Sequence, residues 1–319
     1  MHPKLRSLAI KSRFVLLILA LLSPLFFRIP RPRSLLGDGI LNLGHSPLFA
    51  LVAYVLLAAQ KTSRSKNRGL LLSFVGATGL AGIAELCQSL VGRNAELKDF
   101  VHGLQGIAVL LGGVYAYRQR RPLLVGAYLA FALVSLTLIL QPVARLAIAA
   151  PKFTQAFPRL GSFEASWELT HWQPTHCARL ARSQAVSTQG GWSLEVVCPP
   201  CSYPGASLSD FPRDWSPYRT LRFDAYVSAQ DTLKLYVRID SQAIGEADAY
   251  RFVRSYRLHP GWNQAVVPTD ELAGAKGTPP RHVRSCLFFL NRPEQSKTFF
   301  LDNVVLTDPR PQADNRTAS

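Results

Sequence analysis

The first half of the chain alternates long apolar runs with short basic loops. A helix needs about 20 mostly apolar residues to span a bilayer, and most of these runs reach or approach that length. The predicted helices cover residues 8–27, 40–59, 70–91, 101–117 and 123–150. The pattern therefore predicts an α-helical transmembrane bundle of about five helices, with Lys11 and Arg13 reaching toward the headgroups from the first one.

The pattern changes after residue 150. Residues 151–162 have the composition of a linker, and the segments that follow, such as TLRFDAYVS and TLKLYVRID, alternate apolar and polar positions. Many short strands separated by Pro, Gly and Asp, with no helical stretch among them, are typical of a sandwich or jelly roll. We therefore predict a C-terminal all-β jelly-roll sandwich over residues 163–308 and a flexible tail over residues 309–319.

The first apolar run has two interpretations. Basic residues before an apolar stretch also begin secretory signal peptides, which end at a cleavage site with small residues. Here the run continues into PLFFRIPRPR, which has no such site. This favours a helix that is retained as part of the bundle.

The net charge of +16 is unevenly distributed. Residues 1–150 hold 17 Lys/Arg against 4 Asp/Glu, and the remaining residues hold 19 against 16. The excess lies in short loops between apolar runs, whereas a nucleic-acid surface would concentrate it on a folded domain. The charge pattern therefore argues against a nucleic-acid partner. It is instead typical of the basic loops that set the topology of a membrane protein.

The distribution of basic residues predicts the orientation of the helices. Three basic segments alternate along the chain with less basic loops, and positive loops stay in the cytoplasm. These segments are the N-terminus, residues 61–68 and residues 118–121. The loop with Arg28, Arg31 and Arg33 is a mild exception. We predict a bacterial inner-membrane protein with a cytoplasmic N-terminus and a periplasmic C-terminal domain.

Four cysteines fall in the proposed periplasmic domain: Cys177, Cys198 and Cys201 lie close together in sequence, and Cys286 lies further on. Disulfides persist outside the cytoplasm, so we predict a bridge from Cys177 to Cys198 or Cys201. The alternative for the Cys-Pro-Pro-Cys segment is a metal or redox pair, but a second pair, His partners and a thioredoxin-like pattern are missing from the sequence around it. The sequence therefore predicts no metal and no cofactor.

Polar residues interrupt the apolar pattern in AELCQSLVGRNAELKDFVHGLQG. Glu85 and Gln88 are three residues apart and share a helix face, as do Asp99 and His102. His45 lies near the start of the second predicted helix. With the predicted topology, these side chains all lie in the outer third of the bundle. They either hold the helices together or form a functional site, which ionisable groups within a membrane often mark.

The same segment resembles the signature of the VanZ-like membrane family. In that family a Glu-x-x-Gln ends one helix, an Arg follows in the loop and an Asp opens the next helix, positions matched by Glu85, Gln88, Arg93 and Asp99. Where the family usually has an Asn, this chain has Gly103. The resemblance covers about residues 10–118 and implies an association with glycopeptide-antibiotic tolerance and envelope polymers. Without the resemblance, Arg93 would be read as a solvated or headgroup contact.

The C-terminal domain resembles carbohydrate-binding modules of the galactose-binding-like jelly-roll type. The resemblance rests on an Asp-Trp-Ser before a strand, a Gly-Trp-Asn turn and a closing Asp-Asn strand, in SLSDFPRDWSPYRTLRFDAYV, LHPGWNQAVVP and FFLDNVVL. Trp192, Trp215 and Trp262 have flat ring faces and are therefore candidates for stacking on sugar rings. Tryptophans beside turns in sandwiches also serve as core packing, and both interpretations stay open.

Three functional hypotheses follow. In the first, a glycan-binding sandwich is anchored by a VanZ-like bundle and handles an envelope polymer or exopolysaccharide, with membrane lipid and a glycan or lipid-linked saccharide as partners. In the second, the bundle is an enzyme with Glu85 or Asp99 as base and His102 or His45 as acid. The third is a structural anchor for a protein-interaction domain. The sequence lacks phosphate-binding, metalloprotease and nucleophile-elbow motifs, and it predicts no oligomeric state.

Overall fold

The computed structural model describes residues 3–26, 34–60, 66–90, 97–228, 232–242, 249–273 and 281–309. The chain forms two units, Met1–Ala144 and Arg145–Ser319. The first is helical and the second is formed mainly by strands, which confirms the predicted fold class.

In the part of the chain that the structure describes, six α-helices precede the strands. They are α1 (Pro3–Leu22), α2 (Leu35–Leu43), α3 (His45–Ala59), α4 (Lys66–Leu90), α5 (Leu97–Gln119) and α6 (Pro122–Ala156). Within the described residues, four segments are long and apolar enough to cross a membrane, and α2 and α3 together make one of them. The first apolar run forms a shorter apolar helix, Ser12–Phe26.

The helix bounds differ from the predicted ones by several residues, and two of the differences change the architecture. The second predicted helix starts earlier, at Leu35, where the Ser34 side chain accepts a hydrogen bond from the Gly37 amide, and it breaks at Gly44 into α2 and α3. The last helix continues to Ala156, so the first six residues of the expected linker are helical. Apolar periodicity alone does not predict the break at Gly44, because the run Leu35–Ala59 is apolar on both sides of it.

Glycines bring α3 and α5 close together. A Cβ atom at Gly106 would lie 2.0 Å from the Ser46 carbonyl oxygen, and one at Gly103 would lie 2.8 Å from the ring of Phe49. The Phe49 ring therefore fills the space beside Gly103. Small residues at such crossings let membrane helices approach each other.

Eleven strands make the two sheets of the second unit in the described residues. They are β1 (Arg159–Gly161), β2 (Trp172–Thr175), β3 (Arg179–Ser183), β4 (Ser193–Cys198), β5 (Gly205–Ser209), β6 (Tyr218–Val227), β7 (Leu233–Gln242), β8 (Ala249–Leu258), β9 (Gly261–Pro268), β10 (Val283–Phe289) and β11 (Lys297–Pro309). The first sheet has the order β3-β4-β11-β6-β9 with β1 paired to β11, and the second has the order β2-β5-β10-β7-β8. The strand pairs are antiparallel.

The sandwich core follows from alternation along the strands. In β7, Leu235, Val237 and Ile239 are buried, so the residues between them face outward. The end of α6 joins this core through Phe153, which stacks on His171 at 4.2 Å between ring centroids. All five tryptophans of the chain also belong to this unit, so intrinsic Trp fluorescence reports on the sandwich.

The predicted disulfide is present and joins Cys177 to Cys201. It links the turn after β2 to the segment before β5. Cys198 is instead a free, fully buried thiol on β4, and burial raises the pKa of this thiol to about 12. The disulfide therefore closes a loop around a core cysteine that does not ionise at neutral pH.

Candidate functional site

Three side chains from different helices converge in the bundle. His45 opens α3, Glu85 lies near the end of α4 and Asp99 is in the first turn of α5. His45 Nε2 is 3.9 Å from Glu85 Oε1 and 4.0 Å from Asp99 Oδ2. All three residues are buried, with 4–6% exposure. We call them the His-Glu-Asp cluster.

Local structure positions His45 and Asp99 in this cluster. The break at Gly44 places His45 at a helix start, where its Nδ1 lies 3.3 Å from the Asn42 carbonyl oxygen. Asp99 lies at the N-terminus of α5, where the helix dipole favours a negative charge. The glycine contacts between α3 and α5 then bring His45 and Asp99 within reach of each other.

The other predicted bundle residues are distributed around this cluster. Gln88, one turn after Glu85, is 1% exposed. His102, one turn after Asp99, is half-buried and is not among the residues whose donor atoms meet. Arg93 lies outside the described residues. The structure thus brings together His45, Glu85 and Asp99 from the sequence-based set.

The three predicted tryptophans occupy different environments. Trp215 is fully buried, and its Nε1 donates to the Pro212 carbonyl oxygen, so both of its faces pack in the core and it offers no surface to a sugar. Trp192 has the Arg182 guanidinium 4.1 Å above its ring. Trp262 faces outward on the first sheet beside Tyr226, with ring centroids 5.4 Å apart.

A second group of aromatic residues, which the sequence analysis did not name, lies on the outer face of the second sheet. Tyr236 on β7 pairs with Phe289 on β10, and their rings stack at 5.5 Å. Tyr203, 43% exposed, packs edge-on against Phe289 at 5.8 Å. The signal was present in LYVRID, where alternation already turns Tyr236 away from the core. We call Tyr203, Tyr236 and Phe289 the aromatic patch.

A charged network lies beside this patch on the same face. Arg238 donates to Asp240 through both Nε (2.9 Å) and Nη2 (2.7 Å), and Arg251 Nε donates to the same carboxylate at 3.1 Å. Ser285 also donates to it, at 3.2 Å. Burial raises the pKa of Asp240, but the two guanidinium groups outweigh burial and hold this pKa below its usual value. Asp240 is therefore a fixed anion between two outward-facing arginines.

A cleft of about 480 Å³ adjoins the patch at Tyr236. It combines one aromatic ring with apolar, amide and charged side chains, and its volume falls in the range of small-molecule sites. The lining residues are Leu233, Lys234, Tyr236, Leu290, Asn291, Pro293, Glu294, Gln295 and Lys297. The Lys234 ammonium lies 5.3 Å from the centre of the Tyr236 ring. Tyr236 thus belongs to both the cleft and the aromatic patch.

Several solved structures of other proteins are similar to part of this chain. The chain is similar to a family 11 carbohydrate-binding module from Clostridium thermocellum in complex with a β-1,3-1,4-mixed-linked tetrasaccharide, with 20% identity, TM-score 0.38, and coverage of 47% of this chain and 95% of that one. It is also similar to the C-terminal family 22 module of Clostridium thermocellum Xyn10B, with 14% identity, TM-score 0.36, and coverage of 49% and 99%.

A third similar structure is an exo-beta-agarase, with 16% identity, TM-score 0.41, and coverage of 48% of this chain and 25% of that one. No family model matches the sequence, and no curated protein matches it. At these identities and TM-scores the likeness transfers no residue roles. The VanZ-like resemblance of the bundle stays a prediction.

Proposed function

We propose that this protein holds a glycan-binding sandwich at the outer surface of a bacterial inner membrane. The apolar helices would span the membrane as a VanZ-like bundle, with the N-terminus in the cytoplasm. The sandwich would bind an envelope polymer, an exopolysaccharide or a lipid-linked precursor. Four helical segments of membrane-spanning length and composition support the anchoring part.

The observation that carries the binding part is the position of Tyr236. Sugar rings present apolar C–H faces and a rim of hydroxyl groups. An aromatic patch supplies flat apolar area for those faces, and charged side chains beside it supply hydrogen bonds for the rim. Tyr236 lies where the patch meets the cleft, and the Arg238–Asp240–Arg251 network lies on the same sheet face.

The charge distribution on this face suits a polyhydroxyl ligand. Asp240 is held by both arginines, and Arg251 remains more than half exposed, so part of its guanidinium faces solvent. The cleft adds amide groups from Asn291 and Gln295, which both donate and accept hydrogen bonds. A small number of such polar groups around an apolar surface is enough to orient a ligand.

The test uses the full-length protein in detergent on a panel of bacterial exopolysaccharide and β-glucan oligosaccharides. Tyr236→Ala should weaken binding of the best ligand by about tenfold or more, which corresponds to at least about 1.4 kcal/mol. Tyr226→Ala is the matched control, because Tyr226 is a half-buried tyrosine on the outer face of the other sheet. Its affinity should stay within about twofold of the unchanged protein.

Two outcomes would overturn this proposal. A panel without any binding, while Trp fluorescence shows a folded sandwich, would favour the structural anchor for a protein partner. Loss of binding in Tyr226→Ala or Trp262→Ala, but not in Tyr236→Ala, would move the site to the first sheet.

The second candidate function, an enzyme within the bundle, is favoured by the His-Glu-Asp cluster. Two carboxylates and an imidazole, all buried, are the group types that general acid–base catalysis uses. Glu85→Gln and Asp99→Asn separate the roles: loss of protein abundance indicates a purely structural cluster, and normal abundance with a lost envelope phenotype indicates a site.

A further inference from the structure

The His-Glu-Asp cluster has the composition of a metal site. His45, Glu85 and Asp99 each offer one donor atom, and these atoms lie within 4.8 Å of one another. The three residues come from three helices, so no short spacing motif marks them, and the sequence predicts no metal here. The geometry leads to a different conclusion.

The hydrogen bond of His45 determines which ring nitrogen carries the proton and which one presents its lone pair to the carboxylates. A carbonyl oxygen only accepts hydrogen bonds, so the contact to Asn42 O places the proton of the neutral ring on Nδ1. Nε2 then presents a lone pair toward Glu85 and Asp99. A backbone carbonyl on the other nitrogen is also the usual partner of a metal-binding histidine.

The distances in this cluster are too long for direct hydrogen bonds. Nε2 is 3.9 and 4.0 Å from the two carboxylate oxygens, whereas a charged imidazolium would donate at about 2.7–2.9 Å. Among the described residues, Nε2 has no hydrogen-bond partner. Glu85 and Asp99 have further interactions, so the inference concerns only the atoms that face His45.

A shared cation would draw these donor atoms together. Zinc lies about 2.0–2.2 Å from His nitrogen and carboxylate oxygen, so two ligands at the tetrahedral angle on one ion are about 3.3–3.6 Å apart. The two His45 distances exceed the upper end of this spacing by about 0.4 Å, and the three donor atoms lie within 4.8 Å of one another. Rotations of the Glu85 and Asp99 side chains can bring their oxygen atoms to that spacing.

The three atoms that face one another in the cluster are all electron-pair donors, which are the atoms that bind a metal ion. An imidazole nitrogen beside carboxylate oxygens favours zinc and its transition-metal neighbours over magnesium and calcium, which prefer oxygen ligands only.

We propose that His45, Glu85 and Asp99 bind one divalent transition-metal ion of the zinc class. Three protein ligands leave at least one coordination position open, which is the arrangement of reactive rather than structural zinc sites. This site belongs to the bundle and is independent of the glycan-binding proposal for the sandwich.

The experiment titrates chelator-stripped, full-length protein in detergent with Zn²⁺ and with Co²⁺. The expected result is one equivalent of metal per chain, with visible Co²⁺ absorption typical of four- or five-coordinate nitrogen and oxygen ligation. Less than about 0.2 equivalent bound by the unchanged protein at micromolar metal would overturn the proposal.

Variants connect the metal to the cluster. Glu85→Gln combined with Asp99→Asn should weaken binding at least about tenfold and abolish the Co²⁺ spectrum. His176→Gln is the control, because His176 is an exposed histidine of the sandwich, far along the chain from the cluster, and this variant should bind metal as the unchanged protein does. Equal binding by the double variant would overturn the site. If the double variant fails to fold, His45→Gln replaces it. A shifted Co²⁺ spectrum in His45→Gln supports the metal site, and an unchanged spectrum overturns the metal site.

Discussion

Gly106 on α5 faces Ser46 on α3 so closely that a Cβ atom would come within 2.0 Å of the Ser46 carbonyl oxygen. Backbone cannot move aside as a side chain can, so Gly106→Ala must separate the two helices. Overpacking of this kind costs about 1–3 kcal/mol. We expect a lower thermal midpoint of the helical signal at 222 nm in detergent.

Gly79→Ala is the control for this substitution. Gly79 also lies within a helix, but a Cβ atom there meets nothing within 4 Å. Alanine has the higher helix propensity, by about 0.5–1 kcal/mol, so the midpoint should stay the same or rise. An equal decrease in both variants would show that the crossing between α3 and α5 is not the cause.

The sandwich should lose stability on mild acidification because of His171. Burial lowers the pKa of His171 below 6.5, although Asp210 and backbone groups oppose this shift. The unfolded chain therefore takes up a proton near pH 6.5 while the folded chain does not, so stability is present above that pH and falls as pH decreases toward the folded pKa. Each unit of depression corresponds to about 1.4 kcal/mol.

Trp fluorescence during thermal unfolding between pH 7.5 and 5 measures this effect. His171→Phe keeps a ring against Phe153 and should flatten the pH dependence. His176→Asn is the control, because His176 is exposed and its backbone φ of 52° suits Asn. A pH profile unchanged by His171→Phe would contradict the prediction.

Reduction of the Cys177–Cys201 bridge should destabilise the sandwich. The bridge spans a sequence separation of 24, and closing a loop of that size stabilises a fold by about 3 kcal/mol. The double variant Cys177→Ser with Cys201→Ser should therefore unfold at lower denaturant, followed by Trp fluorescence. Reductant should lower the midpoint of the unchanged protein and leave the variant unaffected; a response of the variant would point to another thiol.

The proposed topology predicts which positions react from outside the cell. Lys152→Cys lies at an exposed position after the last apolar run and should react with an impermeant maleimide on spheroplasts. Arg121→Cys, in the segment between α5 and α6, should react only after permeabilisation. The reverse pattern would place the sandwich in the cytoplasm and contradict the periplasmic proposal.

Alternation and hydrophobic run length were sufficient to predict the fold class. TLKLYVRID forms β7 with the expected residues buried, and the apolar runs form helices. The break at Gly44 was not predictable, because glycine is common in membrane helices and the flanking residues are equally apolar. It depends on how α3 packs against α5.

The candidate sites were predictable to different degrees. His45, Glu85 and Asp99 could be placed at one depth because helix ends alternate between the two sides of a bundle. The burial of Trp215 could not be predicted, since a Trp beside a turn suits a core as well as a surface. The aromatic patch depends on the pairing of β7 with β10, which are far apart in sequence, so the stacking of Tyr236 on Phe289 follows from the fold alone.

The contact between Phe153 and His171 determines where the sandwich can be separated from the rest of the chain. Cutting after residue 156, where the helix ends, would discard Phe153 and leave one face of a buried imidazole against water. A fragment that begins near Arg145 keeps this ring, but it also carries about three turns of the last helix. The boundary for excision therefore lies inside a helix, and a glycan assay on a shorter fragment would measure a damaged domain.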